Sequence, residues 1–258
     1  MRKVRKSLAL NMMSHLIEPS EQIIKISVAG MEIRRVPLRY LKSNMYVLIQ
    51  NKSAILIDPN ESREIAELLY KLGIANIFIF LTHEHFDHTS GVNYFIKQFD
   101  SKIICQSYCS ESIAIPKKNR PMSLAPIAAK YANPDEVINF FSGKYPYSIK
   151  ANIIFDEVMD WNWGSHRIKF IYTPGHTKGS SVIIVDNRIA FTGDYMILGE
   201  KAILRYPGGS TEDYQNITLP FLLSLQSDLI ICPGHGKSYK KADAVYENGI
   251  FSLLEKRE

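Results

Sequence analysis

Cysteine is scarce in this chain, whose 258 residues hold only Cys105, Cys109 and Cys232. An odd count without CxxC spacing argues against a disulfide framework and a cysteine-built zinc knuckle, and it fits reduced thiols in the cytoplasm. Long apolar runs are missing too, and none approaches the roughly 20 residues of a membrane-spanning helix. No short-period repeat and no Gly/Ser linker divides the chain, so one integrated domain is expected. Charge of one sign is not in excess. The net charge is only +5 and the basic residues are dispersed, which offers nucleic acid no binding face. The N-terminus opens on basic residues, but Asn11, Ser14 and His15 interrupt its apolar stretch and no clean cleavage site follows. Residues 1–22 are therefore read as an extension of the fold, not a signal peptide.

What the chain does contain is a core's worth of apolar residues, 46% hydrophobic, arranged in two rounds of strands followed by helices. IIKISV, MEIRRVPL, MYVLIQ and SAILID read as an antiparallel sheet, with Asn51-Lys52 as a hairpin turn. PNESREIAELLYKLG then reads as a helix capped by Asn60, with an apolar stripe at Ile65, Leu68, Leu69 and Leu72 and a stop at Gly73. NIFIFL and KIICQS are short continuous apolar runs, the pattern of strands buried on both faces. Residues 110–150 carry interspersed prolines and read as a variable segment of short helices and loops covering a cleft, with KKNR (Lys117 to Arg120) as a solvated loop. Strands resume in IIFDEVM, HRIKFIYT, SVIIVDNRIAFTGD, with Asp186-Asn187 as a turn, and DLIICPG. The fold class this implies is α/β, two sheets face to face with helices outside, spanning residues 23–258.

The stretch LTHEHFDHTSG packs His83, His85 and His88 together with Asp87, in a chain with only seven histidines. It falls between a buried strand and a helix, where α/β folds place their chemistry. A spacing of two puts His83 and His85 on the same side of an extended chain and leaves Glu84 pointing away, while Asp87 and His88 face a second spot nearby. Imidazole and carboxylate are ligands for zinc, and iron and manganese also accept them. Three later strands end in YTPGHTKGS, FTGDYM and CPGHGK, each delivering one further ligand candidate beside glycine: His176, Asp194 and His235.

This ordered set, HxHxDH followed by isolated His, Asp and His after strands, resembles the metallo-β-lactamase superfamily, and most closely its glyoxalase II (hydroxyacylglutathione hydrolase)-like dinuclear hydrolases. LRYPGGS (Leu204 to Ser210) is similar to a segment of small proteins of that branch. The resemblance implies an αββα sandwich and two zinc ions per chain, with iron or manganese as alternatives. It implies that His83, His85 and His176 hold one ion, that Asp87, His88 and His235 hold the other, and that Asp194 bridges them. Asp58, closing AILID, is implied as a supporting carboxylate behind the histidine loop. The implied mechanism is attack on a small ester, thioester or related acyl bond by a water that the two cations share and deprotonate. Asp87 and Asp194 are its catalytic carboxylates. Lys178, Tyr195 and Arg205 are candidates for lining the substrate pocket, as are Lys144, Tyr145 and Tyr147.

Other readings stay open beside this one. Asp194 stands where the commonest zinc β-lactamases have cysteine, which argues against antibiotic hydrolysis. The segment after His235 is shorter than the helical region with which full glyoxalase II holds glutathione. Lactonases of the fold carry tyrosine where Ile197 stands. A persulfide dioxygenase would need one iron on His83, His176 and Asp194, and a phosphodiesterase would use both metals. A non-catalytic metal-binding module would leave the site inert. The expected partner is a small-molecule substrate, with neither nucleic acid nor membrane involved.

Overall fold

The computed structural model describes residues 23–28, 31–119, 121–130, 132–142, 144 and 146–254; the expected N-terminal extension and His15 lie outside them. The first sheet opens as an antiparallel meander of β1 (Ile24–Val28), β2 (Met31–Pro37), β3 (Asn44–Gln50) and β4 (Ser53–Ile57). Asn51 makes the β3–β4 turn with φ 52°, a left-handed conformation that asparagine tolerates better than most side chains. The sheet then turns parallel through β5 (Asn76–Phe80), β6 (Asp100–Gln106) and β7 (Ile153–Phe155).

Helix α1 (Arg63–Lys71) is capped by Ser62, whose side chain accepts from the Ile65 N–H, and not by Asn60. The chain runs two residues past Asn60 before coiling, and Asn60 is buried instead, donating from Nδ2 to the Val36 carbonyl at 2.8 Å. Two short helices, α2 (Phe86–Thr89) and α3 (Val92–Ile96), follow β5, and α4 (Ser107–Ile113) follows β6.

The second sheet is another meander, β8 (Val158–Trp163), β9 (His166–Tyr172), β10 (Ser181–Val185) and β11 (Ile189–Gly193). Asp186 and Asn187, with φ of 53° and 51°, form the β10–β11 turn, the primed geometry that matches strand twist. Strand β12 (Ile230–Pro233) joins β11 in parallel and β13 (Tyr239–Lys240) closes that edge, while β14 (Ala244–Glu247) and β15 (Ile250–Leu253) form a separate hairpin.

Strict alternation sorts these strands' side chains into layers. Ile55 and Ile57 of β4 meet Ile183 and Val185 of β10 between the sheets, together with Phe80, Phe170 and Phe191. Leu56 points the other way, to Ile65 and Leu69 of α1, Phe95 of α3 and Cys109 of α4. Val182, Ile184 and Ile231 face outward from the second sheet onto Tyr214 and Leu222. Burial of each such side chain contributes roughly 1.5–3 kcal/mol. The four layers are helix, sheet, sheet, helix, in line with the sequence reading. Trp161 and Trp163 pack against this core, Trp161 edge-on to Phe78 and Phe80. Helices α5 (Ala125–Ala128) and α6 (Pro134–Ser142) form their own small cluster, in which Ala128, Val137 and Phe141 pack with Tyr40 and Phe86. Among the described residues no helix is long and apolar enough to cross a membrane.

The two sheets are stitched at one end. Ser181 N donates to Thr82 O at 2.8 Å, Asn44 N to Gly234 O at 2.6 Å, and the Tyr46 hydroxyl to Pro233 O at 2.8 Å. That end, just beyond β5, β9, β11 and β12, carries all the ligand candidates.

Candidate metal centre

His83 follows β5 by three residues, His85 caps α2 with φ −63° and ψ 148°, and the first turn of α2 presents Asp87 and His88. Loops after β9, β11 and β12 bring His176, Asp194 and His235 to the same place. His83 Nε2 lies 3.1 Å from His85 Nδ1, which lies 3.0 Å from His176 Nε2, which lies 3.2 Å from Asp194 Oδ2. On the other side of Asp194, Oδ1 is 3.1 Å from His88 Nε2 and 3.4 Å from His235 Nε2, and both nitrogens are 3.4 Å from Asp87 Oδ2. All seven candidates therefore converge on two neighbouring points, with Asp194 facing each through a different oxygen.

These spacings fit ions. A tetrahedral ion bound at about 2.0–2.1 Å keeps its ligand atoms about 3.3 Å apart. Lone-pair atoms gathered without donors between them would repel, and His88 Nε2 and Asp194 Oδ1 are buried yet make no hydrogen bond. Among the described residues three ligand-like groupings have their atoms within 4.8 Å of one another: His83, His85, His176 and Asp194; Asp87, His88 and His235; and Asp58 with His83 and His88, which has a different explanation. Both Asp58 oxygens already accept hydrogen bonds, Oδ1 from Thr82 N (2.7 Å) and Oδ2 from Thr82 Oγ1 (2.6 Å) and His88 Nδ1 (2.9 Å). Asp58 thus orients ligands and does not face the ions.

That support also fixes tautomers. Because the Thr82 hydroxyl donates to Asp58, its oxygen accepts from His83 Nδ1–H at 3.1 Å and leaves His83 Nε2 bare. His176 Nδ1 donates to the Ile203 carbonyl at 2.7 Å, so its Nε2 is bare as well. A histidine pinned through its outer nitrogen is a better-aimed ligand. Glycine at 234 permits the crowding, since a Cβ there would stand 2.7 Å from both Asp194 Oδ1 and His88 Cε1.

Electrostatics point the same way. Burial lowers His83 well below the ordinary imidazole range and His85 to about 4, with neighbouring histidines adding to it. Burial opposes ionisation of Asp87 and Asp194 too, but the facing histidines, His88 for Asp87 and His235 for Asp194, hold both carboxyls well below their usual range. His88 and His235 are raised: burial disfavours their charge, yet Asp87 and Asp194 outweigh it. Buried carboxylates thus hold protons on imidazoles where positive charge is wanted, a place a cation fills better.

The centre opens on a cavity of about 1090 Å³, and His85, Asp87, His176, Asp194 and His235 reach its surface. Of the pocket candidates, Lys178 lines it, with Nζ 3.9 Å from the Tyr108 ring centroid. Tyr195 does not. It is buried, accepting from His176 N and donating to Thr173 O, both at 2.8 Å, because the residue after Asp194 turns back into the outer core. Arg205 lines a separate shallow hollow, since the loop turns its side chain from the centre. Lys144 pairs with Glu61 at 2.9 Å, Tyr147 hydrogen-bonds Thr89 at 2.6 Å, and Tyr145 lies outside the described residues.

Glu84 and Tyr206 lie on the cavity wall closest to the ligand loops. Glu84, which belongs to none of the ligand groupings, lies on the cavity wall, where its Oε2 accepts from Thr177 Oγ1 at 2.8 Å and joins the His83 and His176 loops. Tyr206 also lines the cavity, its ring edge-on to His85 and His176 at 5.7 and 6.3 Å. Its place in LRYPGGS beside a glycine-rich turn was the only signal.

An αββα sandwich with histidines and aspartates converging at one end of its sheets defines a metal-binding protein of the hydrolase kind. The sequence profile of the Metallo-beta-lactamase superfamily matches residues 38–235, and the chain belongs to that superfamily. It is similar to the probable metallo-hydrolase YqgX of Bacillus subtilis, 24% identical over 208 residues that cover 80% of this chain and 90% of that protein. It is also similar to the hydroxyacylglutathione hydrolase GloC of Haemophilus influenzae, 24% identical over 211 residues covering 80% and 91%. Among solved structures, TTHA1623 in a di-iron-bound form shares the fold, with a TM-score of 0.60 at 23% identity over 81% of this chain and 94% of that one.

Proposed function

We propose that this metal-dependent hydrolase is dinuclear, binds two zinc ions, and cleaves a small ester, thioester or related acyl bond. The observation that carries the reading is Asp194, whose Oδ2 lies 3.2 Å from His176 and whose Oδ1 lies 3.1 Å from His88. His83, His85 and His176 would hold one ion and Asp87, His88 and His235 the other, with Asp194 between. Bound there, the pair supplies Lewis acidity and lowers the pKa of water towards ~7.

The chain's own residues supply the rest. Asp87, buried but at the cavity surface, would orient the attacking water and receive a proton. Asp58, through His88 and Thr82, fixes the ligands from behind. Phe86 and Ile127 of α5 line an apolar part of the cavity wall. An iron dioxygenase would hold one iron on His83, His176 and Asp194, so iron content and oxygen uptake separate it from the hydrolase.

The test is metal counting combined with hydrolysis of thioesters, esters, lactones, phosphodiesters and a β-lactam. Two zincs per chain and activity on an acyl substrate are expected, with Asp194→Ala losing at least one metal and about 100-fold or more in activity. Full activity and both metals in that variant would overturn the reading, as would one iron per chain with oxygen uptake.

A further inference from the structure

Glu84 stands in sequence between two ligand candidates, His83 and His85, and in space it meets the loop that carries a third. Its Oε2 accepts from Thr177 Oγ1 at 2.8 Å, and Thr177 directly follows His176. Thr177 is fully buried and tied on its other side as well: its N–H donates to Ser180 Oγ at 3.0 Å, and because its own hydroxyl proton goes to Glu84, its oxygen accepts from the Ser180 hydroxyl at 2.9 Å. A Cβ at Gly179 would stand 2.5 Å from Glu84 Oε2 and 2.5 Å from Cys109 N, in the first turn of α4. Gly179 is not in the left-handed region, so room, and not backbone conformation, calls for glycine there. The carboxylate thus lies where three segments close on one another: the β5–α2 loop, the loop after β9 and the start of α4.

This junction serves one candidate ion and not the other. His83, His85 and His176 are each next in sequence to Glu84 or Thr177. His83 and His176 are aimed through their outer nitrogens by Thr82 and Ile203, whereas His85 presents Nδ1 to the centre and takes its direction from the backbone on either side, which Glu84 anchors. The ligands of the other ion are held from elsewhere. Ser43 Oγ donates to the Asp87 carbonyl at 3.0 Å, and Asp58 accepts from His88 at 2.9 Å. Asn44 Nδ2 donates to the carbonyls of Pro233 and Gly236, both at 3.0 Å, on either side of His235, and Arg35 Nη1 donates to Gly236 O as well.

We infer that Glu84 is a positioning residue for the ion held by His83, His85 and His176: its bond to Thr177 sets the spacing between the two loops that deliver those three imidazoles. Ligands already held at the spacing an ion needs bind it tightly, and loops set free make the ion order them at a cost in affinity. Loss of Glu84 therefore weakens one ion and spares the other. The contrast between two ions rests on the dinuclear reading, whereas the dependence of the His176 ion on Glu84 does not.

Zinc competition against a chromophoric chelator, run on the full chain, tests it, with His176→Ala and His235→Ala identifying which binding step belongs to which ion. Glu84→Ala should weaken the step that His176→Ala abolishes by about tenfold or more and leave the His235 step within about threefold. Thr177→Val keeps the carboxylate and removes its donor, so it should weaken the same step. The double variant should lose little more than either single one, the mark of two groups that act through one contact. Circular dichroism checks that each variant is folded, and Thr177→Val carries the test alone where Glu84→Ala does not fold. Equal weakening of both steps in a native fold, an unchanged His176 step, or additive losses in the double variant would overturn the inference. A single binding step in the wild type would strike the two-ion reading alone, since Glu84→Ala must still weaken whichever step depends on His176.

Discussion

Asp58 Oδ2 accepts from His88 Nδ1 at 2.9 Å while the same oxygen accepts from Thr82 Oγ1 at 2.6 Å. One carboxylate at the end of β4 thereby aims ligands of both candidate ions, His88 directly and His83 through Thr82. Its backbone is in the left-handed region, φ 51°, a conformation held by Asp58 N donating to Phe80 O at 2.9 Å. Asp58→Ala should weaken metal binding about 10–100-fold, read by zinc competition with a chromophoric chelator. Unchanged zinc affinity would show that the carboxylate merely fills the turn.

Gly234 carries a different constraint. A Cβ there would meet Asp194 Oδ1 and His88 Cε1 at 2.7 Å and the Gly193 backbone at 2.9 Å, closer than real Cβ contacts come. Gly234→Ala should therefore spread the ligands and lower zinc content while circular dichroism stays native. Two zincs retained in a fully active variant would show that β12 can shift to absorb a methyl group.

Tyr195 is expected to act on stability rather than substrate. Tyr195→Phe strands the buried His176 N–H and Thr173 carbonyl, a cost of about 1–3 kcal/mol. The melting temperature should fall with KM little changed. A raised KM at unchanged stability would place the hydroxyl in the substrate site instead.

The local patterns of this chain were legible where chemistry and periodicity coincide. Apolar strands outlined the sheets, and the histidine cluster after β5 together with three ligand residues beside glycine at later strand ends marked out the seven that converge. Side chains whose direction depends on loop curvature were not legible. Glu84 stands outside the ligand groupings, as alternation along an extended chain suggests, but its bond to Thr177 was not readable from the sequence. Tyr195 and Arg205 sit near ligands in sequence and face elsewhere, because a residue's neighbourhood along a loop says little about its side of the loop. Lys117 and Lys118 are exposed at the cavity edge, as their solvated run suggests.

The metal-free protein should be most stable near pH 6.5, by the following signs. His88 and His235 have folded values above the ordinary 6.5, so their contribution is fully present below 6.5 and is lost as pH rises through the raised values. His83 and His85 have folded values below 6.5, about 4 for His85. Their neutral forms stabilise the fold above 6.5, and that contribution is lost as pH falls towards the folded values. Asp87 and Asp194, depressed below 3.8, add a loss only in stronger acid. Zinc displaces the protons on His88 and His235, so the gap in melting temperature between zinc-loaded and chelator-stripped protein should widen as pH rises above 6.5. Thermal melts of both forms across pH 5 to 9 check this. A gap that stays constant above 6.5 would mean that His88 and His235 are already neutral in the metal-free fold, and that the carboxylates facing them do not hold the place of the ion.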